Sequence, residues 1–313
     1  MKDIGKKIVT LLITLIIVSF LVFLAFAVIP GDPATSMLGT EATSEKVAAL
    51  REEMGLNQPL SIRYLQWITA FVKGDFGTSY SYHMPVREMI ADKIPITVML
   101  TTLSFLIMLI IGIPLGIYAA RHAGGKADSA ICTLNQITMA IPPFFAGIIM
   151  TYLFGIVLHL FTPGGFVSYD VNFSGFVGYL IFPSIAIALP KSAMAAKLLR
   201  SSVIGQARSD YAKTAYSKGN TTNGVLWNHV LKNAMIPVIT FLGMSLADMI
   251  AGSIIIEQVF GIPGLGRILL TSISNRDYPV VQAIIVCIAL MVCLINLIVD
   301  MLYHVIDPRI RMD

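Results

Sequence analysis

Charge is what this sequence has least of. Only 13% of its 313 residues are Asp, Glu, Lys or Arg, against roughly 25% in a soluble domain. Hydrophobic residues make up 56%, and the mean hydropathy is +0.78. That balance excludes an ordinary soluble globule. The net charge of +4 is too small to mark a nucleic-acid partner. Cysteine is scarce as well. Cys132, Cys287 and Cys293 lie in or beside apolar runs, at spacings that suit neither a disulfide framework nor a zinc site. They read as ordinary buried residues. The histidines, at 83, 122, 159, 229 and 304, are scattered, so no metal site is expected on this chain. Catalytic motifs are missing too. Gly125-Lys126 lacks the upstream glycine and the following Ser or Thr of a phosphate-binding GxxxxGKS/T loop, and neither HExxH nor GxSxG occurs. No internal repeat or low-complexity tract is visible.

Long apolar runs are what is present. They predict an all-α integral membrane protein with six spans, at roughly 8–29, 96–120, 131–160, 176–199, 234–256 and 280–305. A cleaved leader is the alternative for the first, since Lys2, Lys6 and Lys7 precede it and Ala25-Phe26-Ala27 imitates a cleavage site. Its apolar run is longer than the roughly 7–15 residues of a leader, so a retained span is expected. Pro142-Pro143 and Pro183 are expected to kink their helices.

Lysine and arginine in short loops set the orientation. They populate the N-terminal tail, the loop after span two (Arg121, Lys126), the loop after span four (Lys197, Arg200, Arg208, Lys213, Lys218, Lys232) and the tail (Arg309, Arg311). The stretch 161–175 has none, and the loop after span five has only Arg267 and Arg276. Both termini are therefore expected in the cytoplasm, with segment 30–95 outside. That segment carries Pro33, Pro59, a helical stretch from Thr43 to Met54 and an amphipathic one from Ile62 to Val72, with Trp67 suited to an interface. A small folded cap fits better than a passive connector, because structureless loops of that length are uncommon.

The polar run DYAKTAYSKGNTTNGVLWNHVLKNAMIPVIT, from Asp210 to Thr240, stands out in so apolar a chain. Ser209 or Asp210 suits a helix N-cap. Tyr211 with Ala215, and Ala212 with Tyr216, would form one apolar face. Gly219 suits a left-handed end. Thr222 or Asn223 would cap a second short helix with Val225, Leu226, Val230 and Leu231 as its stripe. Asn233 would start span five, with Pro237 in its first turn. Helix, tight turn and helix at the cytoplasmic surface fit either an amphipathic linker on lipid headgroups or a docking element.

The residues here resemble the cytoplasmic loop by which permeases of ABC importers dock to their ATPase. That loop reads Glu-Ala-Ala, three residues, then Gly. Lys213-Thr214-Ala215 stands at this spacing before Gly219, with Lys in place of Glu. A basic residue, Thr-Ala and a final Lys-Gly, here Lys218-Gly219, is the usual form in the dipeptide/oligopeptide/nickel branch. The stretches IPGDPA (29–34), LNQPLSIRYLQW (56–67), GDFGTS (74–79), EQVFGIPGLGR (257–267), NRDYPVVQA (275–283) and NLIVDMLYHVIDPRIR (296–311) resemble the same branch. The resemblance covers nearly the whole chain. It implies a non-enzymatic permease subunit in a bacterial-type inner membrane, forming half of a translocation path for peptides. It implies as partners two ATPase subunits that hold ATP and Mg, a homologous second permease and an extracytoplasmic binding protein. It divides the chain into a tail and first helix (1–29), a cap segment (30–95), a permease core (96–306) with its coupling loop at 203–233, and a tail (307–313).

Two further sites are expected. Gly261, Pro263, Gly264 and Gly266 would form a non-helical turn, followed by a short helix from Ile268 to Ser274. Surface loop and re-entrant outer gate are the two readings, and the resemblance favours the gate. Arg276 and Asp277 are expected to pair locally. Within span five, Asp248 lies roughly 12 Å from the outer end at 1.5 Å per residue. A charge at mid-bilayer costs about 2.5–3.5 kcal/mol. It should therefore face water or a partner, with Ser245 and Gly252 on the same small-residue stripe. Lining the path, where it would attract a cationic group, and an interhelical hydrogen bond are the two alternatives. Lys191 is expected to snorkel towards the cytoplasm, His159 to sit at the outer interface, and Asp300, Asp307 and Arg309 to fix the tail. Nickel, often as a chelate, is the alternative cargo. A stand-alone channel or secondary transporter would need no docking loop, and a membrane enzyme would need a partner beside Asp248.

Overall fold

The computed structural model describes residues 2–28, 32–39 and 42–306. Residues 29–31 of the IPGDPA stretch, together with Asp307 and Arg309, lie outside them, as does the side chain of Asp300. Among the described residues the elements are helices, and the one β-type feature is an isolated bridge between Thr78 and Pro85. They are α1 (Lys2–Val28), α2 (Pro33–Leu38), α3 (Ser44–Glu53), α4 (Leu60–Val72), α5 (Val86–Ala91), α6 (Ile94–Arg121), α7 (Lys126–Ala140), α8 (Pro143–Met150), α9 (Phe173–Ala207), α10 (Asp210–Ser217), α11 (Thr222–Val225), α12 (Leu231–Phe260), α13 (Leu265–Ser274) and α14 (Tyr278–Ile306). Wide π turns follow α8 (Thr151–Val157) and α11 (Leu226–Val230). Among the described residues, five helices are long and apolar enough to cross a membrane, six if one bent pair counts as a span.

That bent pair corrects the expected single span at 131–160. The chain turns by 97° between Lys126–Ala140 and Pro143–Val157. Two consecutive prolines remove two N–H donors, and Pro142 pushes Ile141 into an extended conformation at φ −83° and ψ 119°. The isolated Pro183 and Pro190 lie inside α9, which continues through both.

The chain forms two compact units. The first comprises Met1–Thr97 with Pro263–Leu297. There α4 turns an aromatic face to α1: Tyr64 and Trp67 pack on Phe23, Tyr64 also on Phe20, and Phe71 on Trp67. The Tyr64 hydroxyl lies 2.9 Å from the Ser19 hydroxyl, and the Arg63 guanidinium sits over the Phe23 ring. Trp67, read as an interfacial residue, is a member of this cluster. In α3, Thr43 accepts from the Lys46 amide, and Arg51 pairs with Asp32 at 2.9 Å.

The second unit comprises Val98–Ile262 with Ile298–Asp313. Its centre is α9, against which α7, α8 and α12 pack. The buried face of α9 is rich in alanine, with Ala186, Ala188, Ala193, Ala195 and Ala196 all nearly inaccessible. Small side chains let backbones approach where lipid removes the usual hydrophobic drive. Gly112 and Gly116 of α6, spaced as GxxxG, face this surface. A Cβ at Gly116 would stand 2.9 Å from the Ala196 carbonyl oxygen, and one at Gly112 would stand 2.9 Å from that of Ser192. Near the start of α7, Asp128 takes a two-pronged contact from Arg200 of α9, at 2.5 and 2.6 Å, and a third bond from the Gly124 amide. At the far end of α12, the Tyr179 hydroxyl donates to the Phe260 carbonyl at 2.5 Å and accepts from the Gly164 amide. His159 stands at φ 51°, just after the π turn.

Gly116→Ala should lower the stability of the detergent-solubilised protein by about 1–3 kcal/mol, because backbone must move to admit the methyl group. Gly178→Ala in α9, where an added Cβ meets nothing within 4 Å, should not. Thermal unfolding of the two variants checks this, and equal losses would contradict close packing as the cause.

Candidate functional site

The polar loop folds as helix, turn and helix, with local differences from expectation. Ala212 and Ala215 are the buried face of α10, while Tyr211 and Tyr216 stand exposed. An i, i+3 alanine pair, rather than two Tyr–Ala rows, lets α10 lie close against α11 and the π turn. Val225, Leu226 and Val230 are buried there. Lys213, Thr214, Ser217 and Lys218 point outward. Lys213 pairs with Asp210 at 2.9 Å, but both are so exposed that the pair contributes about 0–1 kcal/mol. The loop also exposes Trp227, which the sequence reading passed over.

Gly219 ends α10 at φ +86°. Its amide bonds the Tyr216 carbonyl, and the Asn220 amide reaches back to Ala215, the paired closure of a left-handed cap. A Cβ at Gly219 would meet nothing within 4 Å. The requirement is therefore conformational rather than steric. Thr221, one residue before the expected cap, accepts from the Gly224 amide. From there α11, the π turn and α12 run on as one helix, Thr222–Phe260. Span five thus has no separate start at Asn233, and Pro237 lies inside it.

Asp248 and Lys191 form one site. The Lys191 Nζ lies 2.7 Å from the Asp248 Oδ2, joining the middle of α9 to α12. Lys191 thus turns to a carboxylate on the neighbouring helix, where snorkelling towards the cytoplasm was expected. The Asp248 side chain is 63% exposed and that of Lys191 is 31% exposed. Gly252, one turn on, has open space around it, whereas Ser245 is buried with its hydroxyl unpartnered. Asp248 and Gly252 therefore share an open face that Ser245 does not. Lys191 was missed as a site residue because only the packing of α9 on α12 brings positions 191 and 248 together.

The turn after α12 also differs in part. Gly261 is left-handed at φ 68°, and Pro263 follows. Gly264 is extended as the N-cap of α13, and Gly266 lies inside that helix rather than in the turn. α13 begins three residues earlier than expected, its first amide, Leu265, bonding the Thr97 hydroxyl at 3.0 Å. Its buried face is Leu265, Gly266, Leu269 and Ser272. A cavity of about 420 Å³ is lined by Glu88 of α5, by Asp92 and Lys93 just after it, and by Arg267 of α13, among others. Asp277 does not form the expected local pair. It is fully buried and accepts from the Ser79 hydroxyl and from the amides of Tyr80 and Ser81. Arg276 beside it takes φ 55°, which directs the chain into this contact. Burial, with the Asp277 carboxylate nearby, pushes the Tyr80 hydroxyl up to about 12, so it stays neutral at physiological pH. Among the described residues no group of three His, Cys, Asp or Glu could hold a metal ion.

Asp277→Ala would remove the acceptor of the buried Ser79 hydroxyl, at a cost of about 1–3 kcal/mol, and would release the half-buried Tyr80 amide and the Ser81 amide to water. Limited proteolysis should then cut within 79–85 much faster than in the parent. Asp277→Asn, which keeps an acceptor, should be cut at an intermediate rate.

Residues 112–312 match the family model described as binding-protein-dependent transport system inner membrane component. Residues 1–101 match the model for the N-terminal part of the membrane component of such systems. A probable peptide ABC transporter permease protein of Sinorhizobium fredii is 35% identical, with 98% of each chain covered. A glutathione transport system permease protein of Salmonella choleraesuis is 37% identical, covering 98% of this chain and 97% of its own. A putative peptide transport system permease protein of Brucella abortus is 35% identical, with 98% of each covered. The chain belongs to the binding-protein-dependent transport system inner membrane component family, as a multi-pass membrane permease.

Proposed function

We propose that this chain is the permease subunit of an ATP-driven importer of peptides and forms one half of its translocation path. The observation that carries this reading is the extent of the likeness. Relatives named as peptide and glutathione permeases align over almost their whole length. No relative named here favours the nickel alternative. ATP and Mg belong to two partner ATPase subunits, since this sequence has no phosphate-binding loop. A homologous permease completes the path, and an extracytoplasmic binding protein delivers the cargo. Both termini are cytoplasmic in this reading, and segment 30–95 with α2–α5 is the outer cap.

The coupling role of Lys213, Thr214, Ala215, Lys218 and Gly219 has a mechanical basis. α10 lies on α11 and the π turn, and that helix continues unbroken to Phe260. It is roughly 58 Å long at 1.5 Å per residue. Displacement of α10 by a closing ATPase would move this helix as a body, and with it Asp248 and Gly252. Exposed Tyr211, Tyr216 and Trp227 beside the outward lysines suit a protein interface, where aromatics are enriched. The segment from Gly261 through Pro263, Gly264 and Gly266 to Asp277 is the outer gate.

Gentle co-purification from native membranes, with mass spectrometry, tests the whole reading. It should recover ATPase subunits, a second permease and a binding protein carrying peptides. Recovery of this chain alone, still transporting without ATPase, would overturn it. Gly219→Val should leave the complex assembled but uncouple ATP hydrolysis from uptake, because a β-branched residue at φ +86° is strained. Normal transport by this variant would remove the coupling role of the turn.

A further inference from the structure

The Lys191–Asp248 pair is in an unusual place for two charges. Lys191 lies near the middle of a 35-residue helix and Asp248 well inside a 30-residue one. Both side chains remain accessible in this chain, Asp248 the more so. Facing lipid at that depth would cost about 2.5–3.5 kcal/mol for a single charge, and a hydrocarbon-facing pair would still leave its remaining hydrogen-bonding sites unmet. The face is therefore wet, or covered by a polar partner. Gly252, one turn along α12, leaves open space beside it. Pro190 removes the helical hydrogen bond that would close next to Lys191, so α9 is locally free to adjust there.

We infer that this pair reads the charged ends of the peptide. The inference rests on the proposed importer function, and it takes the open face of Asp248 and Gly252 to line that importer's path. At rest each member neutralises the other at 2.7 Å. A peptide with free ends carries the same two charges, an α-ammonium and an α-carboxylate. Its ammonium replaces Lys191 on Asp248, and its carboxylate replaces Asp248 on Lys191, one end at a time as the peptide passes. Each exchange swaps one charged hydrogen bond for another. The barrier to a zwitterion thereby stays low, while a chain with blocked ends has nothing to offer the separated pair. Lys191 is thus a specificity-determining residue alongside Asp248.

Two double variants of the assembled transporter test this. Lys191→Met with Asp248→Asn removes both charges and leaves none unpaired. Lys191→Asp with Asp248→Lys keeps both signs but exchanges their helices. Uptake is followed as depletion of free-ended peptides from a tryptic casein digest, and assembly as co-purification of the ATPase subunits. The neutral variant should assemble yet take up peptides about tenfold more slowly, the loss of one charged hydrogen bond. The exchanged variant should recover to within a fewfold of the parent. A neutral variant that transports like the parent overturns the inference, as does an assembled exchanged variant that stays slow. Failure of both to assemble would make the pair a structural clasp and overturn it equally. The path itself is tested separately with Gly252→Cys in a chain whose Cys132, Cys287 and Cys293 are replaced by alanine. Labelling by a charged, water-soluble thiol reagent in intact membranes supports a wet face. If labelling occurs while the neutral variant transports normally, only the charge reading falls. If no labelling occurs, the path reading falls and takes this inference with it.

Discussion

Helices in hydrocarbon gain little by burying apolar side chains against one another, because the solvent is as apolar as they are. They must hold by close approach. The second unit depends on this constraint at α9, whose alanine face admits neighbouring backbones, while Gly112 and Gly116 remove the side chains that would hold α6 away. Gly243 does the same for α12, where a Cβ would run into Val299. A surface so short of side chains specifies its neighbours by shape. It also explains why the polar contacts of α9, Arg200 to Asp128 and Lys191 to Asp248, can be close and directional.

The second constraint is that backbone polar groups cannot be left unmet at membrane depth. The chain closes its helix ends accordingly, at the short α10 as at the long α12. Left-handed Gly219 and Gly261 turn the last amides back on the preceding carbonyls, and the Tyr179 hydroxyl serves Phe260 from another helix. Asp277 performs the same service for amides 80 and 81 in the first unit. The glycine turns stand where the chain leaves a regular helix, and they fall in the segments proposed for coupling and gating. A turn held by a few directed bonds can move as a piece, which suits a transporter better than a loosely packed loop.

Much of this was legible in the sequence. Apolar run length placed the long helices, though not the break within 131–160, and the extremes of α3 and α4 fell within two residues of expectation, because capping and amphipathicity are local properties. The helix end at Gly219 was legible as well, since φ > 0 at a helix end leaves a glycine signature. The family could be recognised from short stretches spread along the chain.

The rest required packing. That α11 runs into α12 without a break could not be read from residues individually compatible with a cap or a start. The 97° break at Pro142-Pro143 was expected only as a kink, because a proline pair indicates interruption but not direction. Tyr211 and Tyr216 looked like part of an apolar face, yet only the alanines are short enough for α10 to lie down. Asp277 finds Ser79, and Lys191 finds Asp248, across 198 and 57 positions of chain. The sequence alone determined the all-α class and the apolar runs, which follow from local conformation and hydrophobicity, and the family, which follows from motif stretches along the chain. Which charge meets which was decided by tertiary structure, because a pair energy depends on the distance between side chains that sequence separation does not encode.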